Sequence, residues 1–189
     1  MAELNLKPTH KPVQDYYTSL AEYDQIDVTH EGAVSSAFLP LLQHCGRQLD
    51  WILVTEYPIF LPQNKRIIID GAFEDAFKRP HGYWEAKDIH DDLPVEVERK
   101  FEDGYPRNNI LFQTPQRAIL WQNGHEVRDA DLSDPTQLIE VLDAFFAYRT
   151  IEDDEWEWAV EQFGDQVPKL GEGLAEHIKE ARRNKPPFT

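Results

Sequence analysis

The chain of 189 residues is long enough for one domain of ordinary size with a buried core, and its aromatic fraction of 12% argues against disorder. Its single cysteine, Cys45, excludes an internal disulfide framework and predicts a reducing compartment. The sequence has no signal-peptide core and no apolar span of membrane length, so we expect a cytoplasmic protein with no membrane partner.

The net charge is strongly negative, at −16, with 19 basic residues against 35 acidic ones. Proteins that bind nucleic acids use lysine and arginine to neutralise phosphates, so this balance argues against tight DNA binding by the chain alone. Much of the acid lies in the C-terminal run IEDDEWEWAVEQFGDQ. The charge is therefore compatible with an acidic face turned away from DNA, and equally with an acidic protein that mimics DNA or binds a partner.

The N-terminal part of the chain is predicted to be helical after a flexible start. Residues 1–14 are polar with two prolines, so we expect them to be extended or flexible. A short helix is predicted over 14–26, and apolar residues at helical spacing predict a second over 30–46. Pro40 within that second helix predicts a kink or an early end.

The middle of the chain is dominated by strand-like runs rich in β-branched and aromatic residues, bounded by Gly, Pro and Asn. The predicted strands lie within 49–60, 66–71, 80–88, 108–114, 116–124 and 125–132. Asn123-Gly124 predicts a tight hairpin turn. A short helix that ends near Gly104 and Pro106 interrupts the strands. This order predicts an α/β fold with a mixed sheet flanked by helices.

The C-terminal part is predicted to be helical. Ser133-Asp134-Pro135 is a helix start signal, and the apolar side of the helix that follows carries Leu138, Val141, Leu142, Phe145 and Phe146. Two further helices are predicted, at 153–163 and 168–182. We therefore divide the chain into a flexible N-terminus (1–14), an α/β core (15–150) and a helical extension (151–189).

The stretch from Arg66 to Asp88 carries the strongest functional signal. Three isoleucines lead into Asp70-Gly71, and the next strand contains Glu85 and Lys87. Residues two apart on a strand project to the same face, so Glu85 and Lys87 point together while Trp84 and Ala86 point away. If Asp70 lies beside them at the end of the neighbouring strand, two carboxylates and an ammonium group converge.

Such a group fits the hydrolysis of a phosphodiester. Mg²⁺ prefers oxygen ligands, so the carboxylates of Asp70 and Glu85 with the carbonyl of Ala86 form a suitable set. Lys87 would orient the attacking water and stabilise developing negative charge. The alternative is a simple turn at Asp70-Gly71 and a solvated Glu85–Lys87 ion pair. A second acid-x-lysine, Glu98-Arg99-Lys100, is rejected because no Asp-terminated apolar strand precedes it.

The run IIIDG followed by WEAK resembles the PD-(D/E)XK nuclease superfamily, whose fold is a mixed sheet flanked by helices. The wider match is to the N-terminal nuclease domain of single-chain restriction-modification enzymes of types ISP and IIG. It extends from about His30 to Gly124 and rests on the runs HEGAVSSAFLPLLQ, GYWEAKD, KFEDGYPRNNILFQT and RAILWQNG. The strand-end Asp is preceded here by isoleucine, where the superfamily motif has proline.

The resemblance implies roles for particular residues. Asp70 and Glu85 match the metal-binding acids and Lys87 the catalytic lysine. Glu31 matches an acid that helps to hold the metal in many members; the alternative is a helix N-terminal acid favoured by the helix dipole. The implied activity is that of a Mg²⁺-dependent endodeoxyribonuclease, in which Mn²⁺ substitutes for Mg²⁺. DNA is the implied substrate, and a fused or associated methyltransferase, translocase or specificity module is the implied partner.

Two rival functions stay open at this point. The first is a nuclease-like fold that no longer cuts and serves as an acidic interaction or DNA-mimic module. The second is a purely structural α/β domain. A zinc site is not supported, because the histidines, His81 and His90 among them, lack metal-protease spacing and a thiolate site needs more than one cysteine. Gly171-x-Gly173 does not follow a predicted strand, so it does not indicate a dinucleotide site.

Overall fold

The computed structural model describes residues 4–25 and 31–183. The chain divides into two compact units, residues 1–148 and 149–189. The helices of the first unit are α1 (Lys11–Gln25), α2 (Glu31–Arg47), α3 (Leu93–Asp103) and α4 (Pro135–Ala147). Its strands are β1 (Ile52–Phe60), β2 (Arg66–Glu74), β3 (Pro80–Ala86), β4 (Asn109–Gln113), β5 (Arg117–Gln122) and β6 (His125–Asp131).

Within the described residues, six strands form one sheet in the order β1-β2-β3-β4-β5-β6. Neighbouring strands are antiparallel except β3 and β4, which are parallel and are joined by α3. Asn123 and Gly124 have positive φ angles of 52° and 83°, as a tight turn between β5 and β6 requires. The predicted mixed sheet with flanking helices is confirmed.

Each face of the sheet carries its own apolar core. On one face the aromatic residues Phe38 of α2 and Phe145 of α4 pack with Phe73 and Trp84 of the sheet. On the other face α3 packs against a separate cluster that includes Phe112. Burying a side chain of this size contributes about 1.5–3 kcal/mol, so the sheet is held from both sides. The functional residues described below lie on the α3 face.

The helices near the N-terminus differ in detail from the prediction. α1 begins at Lys11, earlier than the predicted residue 14, and Leu6 before it is buried in the core. α2 runs through Pro40 without ending there. Pro40 is exposed, so its ring points away from the packed face of the helix.

Strand β2 does not end at Asp70 as predicted, since it continues to Glu74. Gly71 does not have the positive φ of a turn glycine. A Cβ atom at Gly71 would lie 2.7 Å from Leu53 Cδ1 and 3.1 Å from Trp84 Cε3. The glycine therefore accommodates the close approach of its neighbours, and the alternative of a simple turn at Asp70-Gly71 is wrong.

The side-chain alternation of β2 shifts at Asp70-Gly71. Ile69 and Ala72 are three residues apart and yet belong to the same apolar cluster, whereas strict alternation would place them on opposite faces. On the neighbouring strand, Glu56 has a φ of 51°. Asp70 therefore lies where the alternation of side chains between the two sheet faces is interrupted in both β1 and β2.

The second unit is described by itself. It contains α5 (Ile151–Arg183), one helix that passes through Pro168, and the prediction of two helices is wrong. Proline lacks an N–H group, so the hydrogen bond to residue 164 is lost, but the backbone on both sides stays helical. Within the described residues, no helix combines the length and apolar character needed to cross a membrane.

Candidate functional site

The pairing of β2 with β3 brings Asp70 next to the end of β3. The backbone N–H of Ala86 donates to Asp70 Oδ2 at 2.7 Å. The N–H of Asp70 in turn donates to Glu85 Oε2 at 3.3 Å. These reciprocal contacts hold the two carboxylates on adjacent strands, so the residues that were predicted to converge do lie together.

Glu85 and Lys87 share the α3 face of the sheet, as period-2 alternation predicted. Lys87 Nζ donates to Glu85 Oε1 at 3.0 Å and to the carbonyl oxygen of Ala86 at 2.5 Å. Glu85 is 2% exposed and Lys87 is 4% exposed, while Trp84 and Ala86 belong to the opposite core. A buried, doubly bonded pair is inconsistent with the alternative of a solvated ion pair.

Lys100 is a second cation at Glu85 that the sequence analysis did not place there. It is on α3, next to the buried Phe101, and its ammonium group forms an ion pair with Glu85 Oε1. The acid-x-lysine pattern that contains Lys100 was rejected as a second site, and the structure instead brings this lysine into the first one. The sequence did contain a signal for this placement, because Lys100 lies next to Phe101, which together with Val97 forms the buried side of α3.

Tyr105 connects Lys100 to both site strands. Gly104 ends α3 in the left-handed conformation, with a φ of 103°, and turns the chain back toward the sheet. The Tyr105 hydroxyl accepts from Lys100 Nζ at 2.9 Å. The same hydroxyl lies 2.9 Å from the carbonyl oxygen of Ile68 and 3.3 Å from Glu85 Oε1, both of which are acceptors.

The Tyr105 hydroxyl stays protonated in this position. Burial raises the pKa of Tyr105 above its ordinary value of 10.0, and the nearby Glu85 carboxylate raises it further. The hydroxyl is therefore a hydrogen-bond donor toward Ile68 and Glu85 across the physiological pH range. The Lys100 ammonium group also lies over the aromatic ring of Tyr105, 4.7 Å from the ring centroid.

The donor set fits a hard divalent cation better than a soft one, because it consists of oxygen atoms. Asp70 and Glu85 supply carboxylates, and Ala86 supplies the predicted carbonyl. Among the described residues there is no group of three or more His, Cys, Asp and Glu side chains that would hold a metal by themselves. The side chain of Glu31, the further predicted ligand, lies outside the part of the chain that the structure describes.

Two further polar residues, Gln122 and His81, lie in structural contacts. Gln122 lies at the opposite end of β4 from the site, where its side chain donates to Asn109 Oδ1 at 3.0 Å. His81 stacks on Trp51 with ring centroids 4.4 Å apart and contacts Asp75. These contacts stabilise the fold at positions away from Asp70 and Glu85.

The cations that could meet DNA phosphates are largely engaged within the protein. Arg79 pairs with Asp75 at 2.8 Å, and Arg117 pairs with Asp129 at 2.6 Å. Arg107 stacks over the ring of Phe101 at 4.5 Å from its centroid. The acids offset the charge of Arg79 and Arg117, whereas Arg107 keeps its positive charge over the ring.

Comparison with solved structures finds chains that are similar to this one. No family model and no curated protein matches the chain. A solved chain in the cryoEM structure of a DrdV–DNA complex is 31% identical, with a TM-score of 0.74 over 92% of this chain. The match spans only 17% of that chain, so this protein resembles one part of a larger protein that was solved with DNA.

Proposed function

We propose that residues 1–148 form a Mg²⁺-dependent DNA endonuclease domain of the PD-(D/E)XK type that belongs to a restriction-modification system. The observation that carries the proposal is that half-buried Asp70 on β2 meets the buried Glu85 and Lys87 at the end of β3. The likeness to part of a protein solved with DNA supports DNA as the substrate.

Each residue of the site would have its own role in phosphodiester hydrolysis. Asp70, Glu85 and the Ala86 carbonyl would hold a divalent cation, which would supply polarisation of the phosphate and a more acidic water. Lys87 is held by Ala86 and Glu85, so its ammonium has a defined position from which to stabilise negative charge on the phosphate. The hydrogen bond from Ala86 N–H holds the Asp70 carboxylate in place before substrate arrives.

DNA recognition belongs to another module under this proposal. The net charge of −16 opposes tight binding to a polyanion, and arginines on the surface are paired with acids. The matched chain is about six times longer than its matched part, since the match covers 17% of it. A fused or associated methyltransferase, translocase or specificity module would therefore supply affinity and sequence choice, and this domain would supply cleavage.

The same charge favours a second candidate function, an inactive nuclease-like module that serves as an acidic partner or DNA mimic. That function does not need a buried lysine beside two carboxylates. Burying Glu85 and Lys87 costs several kcal/mol of desolvation per ion, which only good pairing recovers. An interaction module would gain nothing on its surface from this arrangement, so cleavage is the better explanation.

Cleavage of supercoiled plasmid by the full chain with Mg²⁺ or Mn²⁺ tests the proposal. Lys87→Ala should abolish cutting, and EDTA should abolish it in the wild type. Lys65→Ala is the matched control, because Lys65 is an exposed lysine that pairs with Asp103 outside the site. Equal cutting by wild type and Lys87→Ala would refute the assignment. If neither cuts, absence of metal binding in calorimetry would favour the inactive module.

A further inference from the structure

The Glu85 carboxylate contacts two ammonium groups, although one would balance its negative charge. Its Oε1 atom accepts from Lys87 at 3.0 Å, pairs with Lys100, and lies 3.3 Å from the Tyr105 hydroxyl. Its Oε2 atom contacts the Asp70 amide at 3.3 Å. The two acids Asp70 and Glu85 thus lie together with two ammonium groups, those of Lys87 and Lys100.

The two lysines differ in how firmly they are held. Lys87 is 5% exposed at its side chain and is fastened to the Ala86 carbonyl at 2.5 Å. Lys100 is 16% exposed at its side chain and lies on the surface helix α3, where its other contact is the Tyr105 hydroxyl. Lys100 therefore has a route toward solvent that Lys87 lacks.

A divalent cation at this site changes the local charge balance. Asp70, Glu85, Lys87 and Lys100 together are neutral, so a cation of charge +2 that joined the two acids would be repelled by both ammonium groups. Moving one ammonium group away relieves part of that repulsion. The contacts above select Lys100 as the group that moves.

We propose that Lys100 is a positioning residue that occupies Glu85 in the metal-free protein and withdraws when a divalent cation binds. The inference rests on the proposed function, because it takes Asp70 and Glu85 as the metal-binding acids. Lys100 keeps the Glu85 carboxylate in one orientation until the metal arrives. The competing explanation is a purely structural ion pair that fastens α3 to the sheet.

Metal titration of the full chain separates these explanations. Lys100→Met removes the charge and keeps the length of the side chain, so Mn²⁺ should bind about tenfold more tightly in calorimetry, equivalent to removing roughly 1.4 kcal/mol of repulsion. Lys100→Arg retains the charge and should not tighten binding. Lys65→Met, at the exposed lysine paired with Asp103, should bind Mn²⁺ as the wild type does. Unchanged or weaker binding by Lys100→Met would overturn the proposal.

A second measurement uses the wild type and so does not depend on a variant that folds. Amine labelling followed by peptide mass spectrometry should show Lys100 reacting faster when Mg²⁺ is added, with Lys65 unchanged. Labelling of Lys100 that is unaffected or slowed by Mg²⁺ would contradict withdrawal. The failure of the proposed function looks different, because a wild type that binds neither Mg²⁺ nor Mn²⁺ has no metal site, and both proposals then fall.

Discussion

The backbone amide of Ala86 donates a 2.7 Å hydrogen bond to Asp70 Oδ2. This contact joins two residues that are 16 positions apart in sequence and lie on neighbouring strands. Hydrogen bonds to a charged acceptor are roughly twice as strong as neutral ones. The Asp70 carboxylate therefore has two separable properties, an oxygen that anchors β3 and a negative charge beside Glu85.

Asp70→Asn should separate these properties. The amide keeps an oxygen that can accept from Ala86, so we expect the free energy of unfolding to change by no more than about 1 kcal/mol. The charge is lost, so Mn²⁺ binding should weaken more than about tenfold in calorimetry. Asp70→Ala is the comparison, since it loses both properties and should also lower stability. Wild-type metal affinity in Asp70→Asn would show that Asp70 is not a metal ligand.

Gly82→Ala should destabilise the sheet through close packing. A Cβ atom at this position would lie 2.6 Å from Phe145 Cζ and 2.7 Å from Asn109 Nδ2, both on buried side chains. Overpacking of this kind costs about 1–3 kcal/mol, which denaturant unfolding can measure. Gly164→Ala in α5 is the control, because nothing lies within 4 Å of its added Cβ. A fully stable Gly82→Ala would mean that Phe145 can move aside.

Asp75 should make the protein sensitive to acid. Partial burial by itself raises the pKa of Asp75, but hydrogen bonds from the Arg79 backbone, the His81 ring, the Arg79 guanidinium and the Phe77 backbone lower it to about 2, below the ordinary value of 3.8. A carboxyl whose pKa is lower in the folded state stabilises the fold above its unfolded pKa. That stabilisation is lost as the pH falls from 3.8 through about 2.

The measurement is the unfolding temperature of wild type and Asp75→Asn as a function of pH. We expect the wild type to be more stable at pH 7, with the difference shrinking as the pH falls below the ordinary pKa of aspartate. Glu140→Gln is a suitable control, because Glu140 pairs with Arg128 on the exposed surface at 3.2 Å. A difference that is constant with pH would show that Asp75 acts through packing alone.

The elements of the core were accessible from local pattern. Period-2 alternation placed Glu85 and Lys87 on one face, and the Asn123-Gly124 turn located the β5–β6 hairpin. The apolar spacing of α4 identified residues that the structure buries, Leu138 and Phe145 among them. These features depend on residues that are close in sequence, and such residues constrain one another whatever the rest of the chain does.

Long-range placement was not accessible in the same way. Asp70-Gly71 was interpreted as a strand end because glycine usually marks a turn. Here, however, a Cβ atom at Gly71 would come too close to Leu53 and Trp84 on the neighbouring strands. Two helices were predicted over 153–163 and 168–182, but the loss of one backbone hydrogen bond at Pro168 does not end α5.

The sequence by itself determined the α/β class and the strand that carries Glu85 and Lys87, because side-chain periodicity acts over a few residues. Only the tertiary structure decided that Lys100 and Tyr105 complete the surroundings of Glu85. Tyr105 reaches Glu85 across 20 positions and Ile68 across 37, from the connection between α3 and β4. Contacts of that span depend on strand register and helix packing, which no local pattern encodes.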